Sequence, residues 1–411
     1  MTIIRNILQQ ILKLLQTHFN VGHPLNHFCL LRCLDVISPA MLIQRPRSKL
    51  EVGLKTFGLC IMLTYTMTLA YDFSQQPDVR AAMDIFCMLS LFSSIVARST
   101  CLRQYQPHIN ALERLDANPQ FRVGIPSAEQ IRRKVAMENN RFFGTALVYH
   151  FLTVTLYVWQ NMWVENSFVT IITYAPVDLS QYSPTLDRLA QLFYCLSAYV
   201  WAWYYAAGQL TVIISLRLAI SEFRVFLHSL ATLDDQIKER LASDQTNAGE
   251  EQIVRELLQE HARRHSQLIV VMMHLRMTLY IYSLVHFSFY MTIVAAFMTR
   301  VLIIPGSSSL GMAIPLLVTI IFFFETLALC LLVENLVLLN REVGIVLYGF
   351  DWTRYLRYGR SIKRTMMLMI MQANNTRDVS AGGLTTVSAE LFAKTCRIVY
   401  TMIMGMANLA T

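Results

Sequence analysis

Apolar residues in this chain are grouped in blocks, separated by stretches where charges return. Seven blocks stand out, at about 54–73, 79–97, 142–163, 189–216, 277–303, 310–333 and 389–409. A helix of roughly 20 apolar residues crosses a ~30 Å hydrocarbon core, so each block predicts a membrane-spanning helix. Two blocks are marked by charge: the second holds Asp84, and the seventh holds Lys394 and Arg397. The stretches between blocks are patterned too. "EEQIVRELLQEHARRHSQLIVVMM" sets Ile253, Leu257, Leu258 and Leu268 among charges, which predicts a helix projecting from the membrane. "GFDWTRYLRYGRSIKR" places Arg354, Arg357, Arg360 and Lys363 three apart, a basic face suited to anionic lipid or to a helical assembly domain. The first residues, "MTIIRNILQQILKLLQTHFN", carry Ile3, Ile4, Ile7, Leu8, Ile11, Leu12 and Leu15 between polar residues. That period predicts an amphipathic helix on the interface and not a signal peptide.

Composition agrees with the pattern. Of 411 residues, 55% are hydrophobic and 15% charged, with mean hydropathy +0.41. A soluble domain carries about a quarter of its residues as charges. The formal net charge of +8 would fit nucleic acid if the cations formed one patch. They lie instead beside the apolar blocks, so no nucleic-acid partner is expected. Thirty of the 35 Lys and Arg fall in four segments: 1–55, 98–141, 217–276 and 334–388. Only Arg80, Arg188 and Arg300 fall in the alternate connections. The positive-inside rule then puts the N-terminus in the cytoplasm and, after seven spans, the C-terminus outside. The expected fold class is an all-α membrane protein of seven transmembrane helices with helical cytoplasmic extensions. The inverted orientation excludes a G-protein-coupled receptor, as does the lack of an Asn-Pro-x-x-Tyr in the seventh block; the one Asn-Pro is Asn118-Pro119, in an inner loop.

Candidate chemistry is sparse. There is no Gly-rich phosphate loop, no His-Glu-x-x-His and no Gly-x-Ser-x-Gly, so no enzyme is expected. His23, His27, Cys29 and Cys33 have spacing that suits no standard zinc site, and no metal or other cofactor is expected. None of the eight Cys falls in a short outer segment, so no outer disulfide is expected. The sequon Asn374-Asn375-Thr376 falls on the inner side, where no glycan forms. Glu325, deep in the sixth block, reads as a structural carboxylate in a polar cleft. Asp72, Asp78, Asp84, Glu165, Asp178 and Asp187 give the outer boundary an acidic balance that would favour cations.

The strongest resemblance lies over roughly residues 325–411. "FETLALCLLVENLVLLNREVGIVLYGFDW", with Tyr348 and Trp352 four apart, and "GGLTTVSAELFAKTCRIVYTMIMGMANL", with Leu384, Ser388, Glu390, Phe392 and Tyr400, resemble the insect odorant receptor family. The short connection between the fourth and fifth blocks resembles its odour-tuning members and not the shared co-receptor. The sister gustatory receptors end in a Thr-Tyr and Gln-Phe pattern, where this chain has Thr401-Met402 and Asn408-Leu409. A gustatory-type channel is the alternative. A secondary transporter is the more distant one, disfavoured because seven spans do not halve and no internal repeat is visible.

The resemblance implies a subunit of a ligand-gated, non-selective cation channel in the plasma membrane. The partners would be co-receptor subunits in a heterotetramer, a small volatile odorant and membrane lipid. It divides the chain into a cytoplasmic or interfacial segment (1–53), six spans with the odorant bundle (54–333), cytoplasmic anchor helices (334–388) and a pore-lining seventh helix (389–411). By register with the family, Gly405, Asn408 and Leu409 occupy the constriction, with Gly405 departing from the usual branched apolar residue. Asn408 follows Arg397 by 11 residues, about three turns on, on much the same helix face. The odorant would sit among the outer halves of four spans. The expected contacts are Ile85, Phe86 and Leu89 in the second, and His150, Thr153, Val154 and Tyr157 in the third. The fourth supplies Tyr194, Ala198 and Trp201, and the sixth supplies Ile314, Leu317 and Ile321 beyond Pro315. The i, i+3, i+4, i+7 spacing in the third span puts its four on one face. The many rings favour a flat aromatic ligand.

Overall fold

The structure is a computed structural model that describes residue 9 and residues 49–75, 79–117, 126–159, 183–243, 249–303, 309–350, 359–375 and 378–410. Within these, the chain is almost wholly helical. The helices are α1 (Lys49–Gln75), α2 (Val79–Gln104), α3 (Gln106–Ala117), α4 (Pro126–Trp159), α5 (Pro184–Ala231), α6 (Leu233–Ser243), α7 (Glu250–Ile303), α8 (Ser309–Gly349), α9 (Arg360–Asn374) and α10 (Ala389–Ala410). A short antiparallel hairpin, β1 (Ser380–Ala381) and β2 (Thr385–Thr386), precedes α10. Six of the seven apolar blocks lie within a helix, α1, α2, α5, α7, α8 and α10, and the third block lies in α4 as far as Trp159. Among the described residues, α2, α4, α7 and α8 combine the length and hydropathy needed to cross a membrane, α8 most strongly with mean hydropathy 2.7. The amphipathic start of the chain, the His23–Cys33 cluster and Trp352 lie outside the described residues. So do Asp78, Glu165 and Asp178, and the side chains of Asp72, Asp84 and Asp187.

The helices run well past the apolar blocks. α5 has 48 residues, α7 has 54 and α8 has 41. At 1.5 Å per residue these exceed the thickness of a bilayer. The connection expected at 217–276 is therefore mostly a continuation of α5 and α7, joined through α6. Local chemistry sets these ends. Ser183 caps α5 by accepting from the Thr185 N–H at 3.2 Å, with Pro184 in the first turn, where its missing donor is not needed. α6 opens with Asp234 and Asp235, and α7 with Glu250 and Glu251, acids at the positive end of the helix dipole. Leu233, Ile237, Ile253, Val254, Leu257 and Leu258 bury together with Ile362 and Met366 of α9, a second small core beyond the main bundle.

The main core is built on α5, with α2, α7 and α8 packed around it. Ala207, Leu210, Leu216 and Phe223 of α5 are fully buried beside Leu102, Leu279, Tyr290, Cys330 and Leu336. In a bilayer, apolar area alone does not draw helices together, so close fit and internal hydrogen bonding carry more of the association. Several buried hydroxyls are satisfied within their own helix: Thr211 donates to the Ala207 carbonyl, Ser215 to the Thr211 carbonyl and Thr326 to the Phe322 carbonyl, each at 2.8 Å.

The hairpin holds the start of α10. Gly382 and Gly383 take φ of +59° and +78°, a left-handed turn that side chains disfavour. A Cβ on Gly382 would stand 2.6 Å from Leu284, because this turn presses on α7, where the Gly382 N–H donates to the Tyr280 carbonyl at 2.7 Å. At the first turn of α10, Glu334 of α8 accepts from the Ala389 N–H at 3.1 Å. α10 is thus tied to both α7 and α8 at its beginning.

A candidate ligand cavity and the polar cluster beside it

A partly open space of about 110 Å³ lies between α2, α4, α5, α7 and α8. Its walls are nearly all hydrocarbon and aromatic. α4 contributes His150, Thr153, Val154 and Tyr157, the four residues that its spacing placed on one face. α5 contributes Ala198 and Trp201 as expected, and adds Ala202 and Tyr205. The Tyr194 side chain lies outside the described residues. α8 contributes Ile314 and Ile321 together with Val318 and Phe322, whereas Leu317 does not line the space. On α2 the lining face is Met88, Leu91, Phe92 and Ile95, about one turn along from Ile85, Phe86 and Leu89. Ile85 is buried in the core, and Phe86 and Leu89 pack against it. Phe297 of α7 completes the wall. Aromatic contacts stiffen it: Trp201 and Phe92 lie with ring centroids 4.2 Å apart, His150 and Tyr205 at 5.3 Å, and Tyr205 and Phe322 at 5.4 Å.

Next to this apolar space sits a buried ionic cluster. Arg98 of α2 pairs with Glu325 of α8 at 2.5 Å, both almost fully buried. The Tyr205 hydroxyl donates to the other carboxylate oxygen of Glu325. Arg98 also donates to Ser94 at 3.1 Å and to Gln209 at 3.2 Å. His286 of α7 stands 3.3 Å from Arg98 through Nδ1 and 3.0 Å from the Thr326 hydroxyl through Nε2. Four helices therefore meet on one charge pair. An isolated charge inside a membrane bundle is strongly unfavourable, and a paired and hydrogen-bonded one is tolerated. The cluster touches the cavity directly, because the Arg98 guanidinium lies 5.0 Å from the Tyr205 ring and 5.4 Å from the Phe322 ring. Arg98 had counted among the inner-loop cations; it belongs to the bundle interior instead. Only its position at the edge of an apolar block made it look like a flanking charge. Glu325, expected in a polar cleft, lies in this cluster.

A second buried pair stands farther along α4, where Arg132 meets Glu222 of α5 with two hydrogen bonds of 2.8 Å. Such two-point pairing fixes orientation as well as distance.

Two of the three expected pore positions lie on the exposed side of α10. Gly405 and Asn408 are exposed in the single chain, and a Cβ on Gly405 would meet nothing within 4 Å. The Leu409 side chain lies outside the described residues. Ile398, Tyr400, Met402 and Met404 are exposed as well, while Phe392, Thr395 and Val399 face inward. Lys394 pairs with Glu390 one turn before it, at 2.7 Å. One face of this helix is packed on α7 and α8, and the other is left open.

Comparison with known proteins follows the architecture. The family model described as 7tm Odorant receptor matches residues 78–400. The fold is similar to that of the insect olfactory receptor OR5 of Machilis hrabei solved in complex with eugenol, with TM-score 0.72 and 10% identity over 92% of this chain and 98% of that one. It is similar also to the structure of OR5 described without eugenol, with TM-score 0.68 and 11% identity over 98% of both chains. No curated protein sequence matches the chain.

Proposed function

Because this chain belongs to the 7tm Odorant receptor family, we propose that it is an odour-tuning subunit of a ligand-gated, non-selective cation channel. The observation that carries the reading is the apolar cavity between α2, α4, α5, α7 and α8. A space of this kind takes a small apolar molecule and holds it by shape, with few polar contacts. The eugenol bound to the Machilis hrabei receptor is a ligand of that class.

In this account a volatile fills the cavity against Tyr157, Trp201 and Ile321, and the bundle responds by shifting α10. α8 provides a physical route, since it lines the cavity at Ile314 and Ile321 and holds the first turn of α10 through Glu334. α10, with Gly405 and Asn408 on its exposed face and Leu409 beside them in sequence, lines the pore when four subunits meet on one axis, co-receptor subunits among them. Residues 54–333 form the odorant bundle in the plasma membrane, 334–388 the cytoplasmic anchor helices, and 389–411 the pore helix. The N-terminal segment 1–53 lies in the cytoplasm or on its membrane face, and the C-terminus is extracellular.

The test is current recording from cells expressing this chain with and without the co-receptor, over a panel of volatiles. Odorant-evoked cation current that needs both chains supports the account. A surface-expressed complex that is silent to every volatile contradicts it.

A further inference from the structure

Two residues of the cavity wall carry buried polar atoms without a hydrogen-bond partner among the described residues. His150 Nδ1 lies 2.6 Å from the Ala146 carbonyl of its own helix. A carbonyl can only accept, so Nδ1 carries the proton and the neutral ring has its lone pair on Nε2. That Nε2 is buried and without a hydrogen-bond partner among the described residues. The Trp201 indole N–H is likewise buried and unpartnered. One is an acceptor and the other a donor, and both side chains border the same apolar space. Native interiors rarely leave such atoms unmatched, and each exception calls for an explanation, a partner from outside the protein among them.

Water is a poor candidate for that partner. His150 also borders a smaller space of about 10 Å³ toward Tyr199, Trp203 and Ala206. That is barely one water, and a buried water needs two to four polar partners. The Tyr199 hydroxyl is engaged with Thr155 at 3.1 Å. Thr153, on the main cavity, uses its hydroxyl on the Tyr149 carbonyl at 2.9 Å.

We propose that His150 Nε2 is the specificity-determining acceptor of this cavity and that it selects volatiles bearing a hydroxyl group, alcohols or phenols, over ethers and hydrocarbons of the same skeleton. The ligand's O–H donates to Nε2, and its apolar body fills the remaining space against Tyr157 and Ile321. A ligand oxygen within reach of Trp201 accepts from the indole N–H. No bond is made or broken beyond these hydrogen bonds. The inference rests on the reading of the cavity as the odorant site and adds the chemical class to it.

The test uses the full-length chain with its co-receptor and matched sets: benzyl alcohol, phenylethanol and hexanol, the methyl ether of each, and the parent hydrocarbons. A methyl ether keeps an acceptor for Trp201 but has no proton for His150, so the alcohol-to-ether potency ratio isolates the one contact. The expected ratio is about three- to tenfold in favour of the alcohol, the span of one net hydrogen bond. His150→Phe keeps a ring without an acceptor and brings the ratio to about one. His150→Gln returns a carbonyl oxygen near the Nε2 position and restores part of it, which a purely structural role would not do. A ratio near one in the wild type overturns the proposal even if the Phe variant fails to reach the surface, as does a ratio that His150→Phe leaves unchanged. A surface-expressed wild-type complex that answers none of the compounds overturns the odorant reading itself, a result distinct from responses that ignore the hydroxyl.

Discussion

Arg98 and Glu325, separated by 227 positions, form a 2.5 Å ion pair in the interior of the bundle, against two rings of the ligand cavity. Removing one partner leaves the other charge buried and alone, which typically destabilises by about 3–5 kcal/mol. Arg98→Met and Glu325→Leu are each expected to lower the thermal midpoint of the purified complex sharply and to reduce surface expression. The double variant, which leaves no charge, should recover much of the loss. Singles and a double that are all equally stable would show that the pair does not hold α2 to α8.

Tyr205 joins the two regions, with its ring on the cavity and its hydroxyl on Glu325. Tyr205→Phe keeps the ring and removes the donor to a charged acceptor, a bond worth about 1.5–3 kcal/mol. The expected result is a complex of lower thermal stability, with altered maximal odorant-evoked current and an unchanged order of agonists. A reordered agonist series at normal stability would place the hydroxyl in ligand recognition instead.

The wall aromatics set shape. Trp201 is 2% exposed and stacked near Phe92, so Trp201→Ala opens space in the cavity. Tyr157→Ala does so from α4. Each is expected to change the rank order of volatile agonists, since a lost aromatic contact is worth about 0.5–1.5 kcal/mol beyond area. Dose–response series on surface-normalised cells measure this. A uniform loss of current with the order preserved would assign both residues to packing alone.

These outcomes depend on a register that the sequence showed unevenly. His150, Thr153, Val154 and Tyr157 were recoverable because their i, i+3, i+4, i+7 spacing sets them on one side of α4. On α2 large apolar residues fill nearly every position from Ile85 to Phe92, so little in the pattern separates Ile85, Phe86 and Leu89 from the lining face at Met88, Leu91, Phe92 and Ile95. Phe297 was missed for the same reason. Arg98 was misplaced because a charge at the edge of an apolar block looks the same in sequence whether it enters the bundle or leaves it. Its partner Glu325 was visible, but the pairing needs the fold. The long extensions of α5, α7 and α8 were legible as charged helical stretches, although their continuity with the spans was not.

The open face of α10 makes the pore assignment testable. Asn408→Asp adds a charge at the proposed mouth, and Asn408→Leu removes a group that can hydrate a passing ion. With the co-receptor present, the first is expected to shift calcium-to-sodium permeability or divalent block. The second should reduce conductance. Both should leave odorant potency nearly constant, because Asn408 lies on α10, which contributes nothing to the cavity wall. Unaltered reversal potentials and block in both variants would move this part of α10 away from the pore.

The central claim is that a volatile in the α2, α4, α5, α7 and α8 cavity opens the channel. Ala198 lines that space from α5, and Ala198→Phe puts a ring into a cavity of about 110 Å³. The most direct measurement is the odorant-evoked current of this variant beside the wild type, each with the co-receptor and each normalised to surface protein. The account predicts that responses to the larger agonists disappear and that any surviving responses belong to the smallest. Unchanged potency for every agonist, with the variant at the surface, would contradict it.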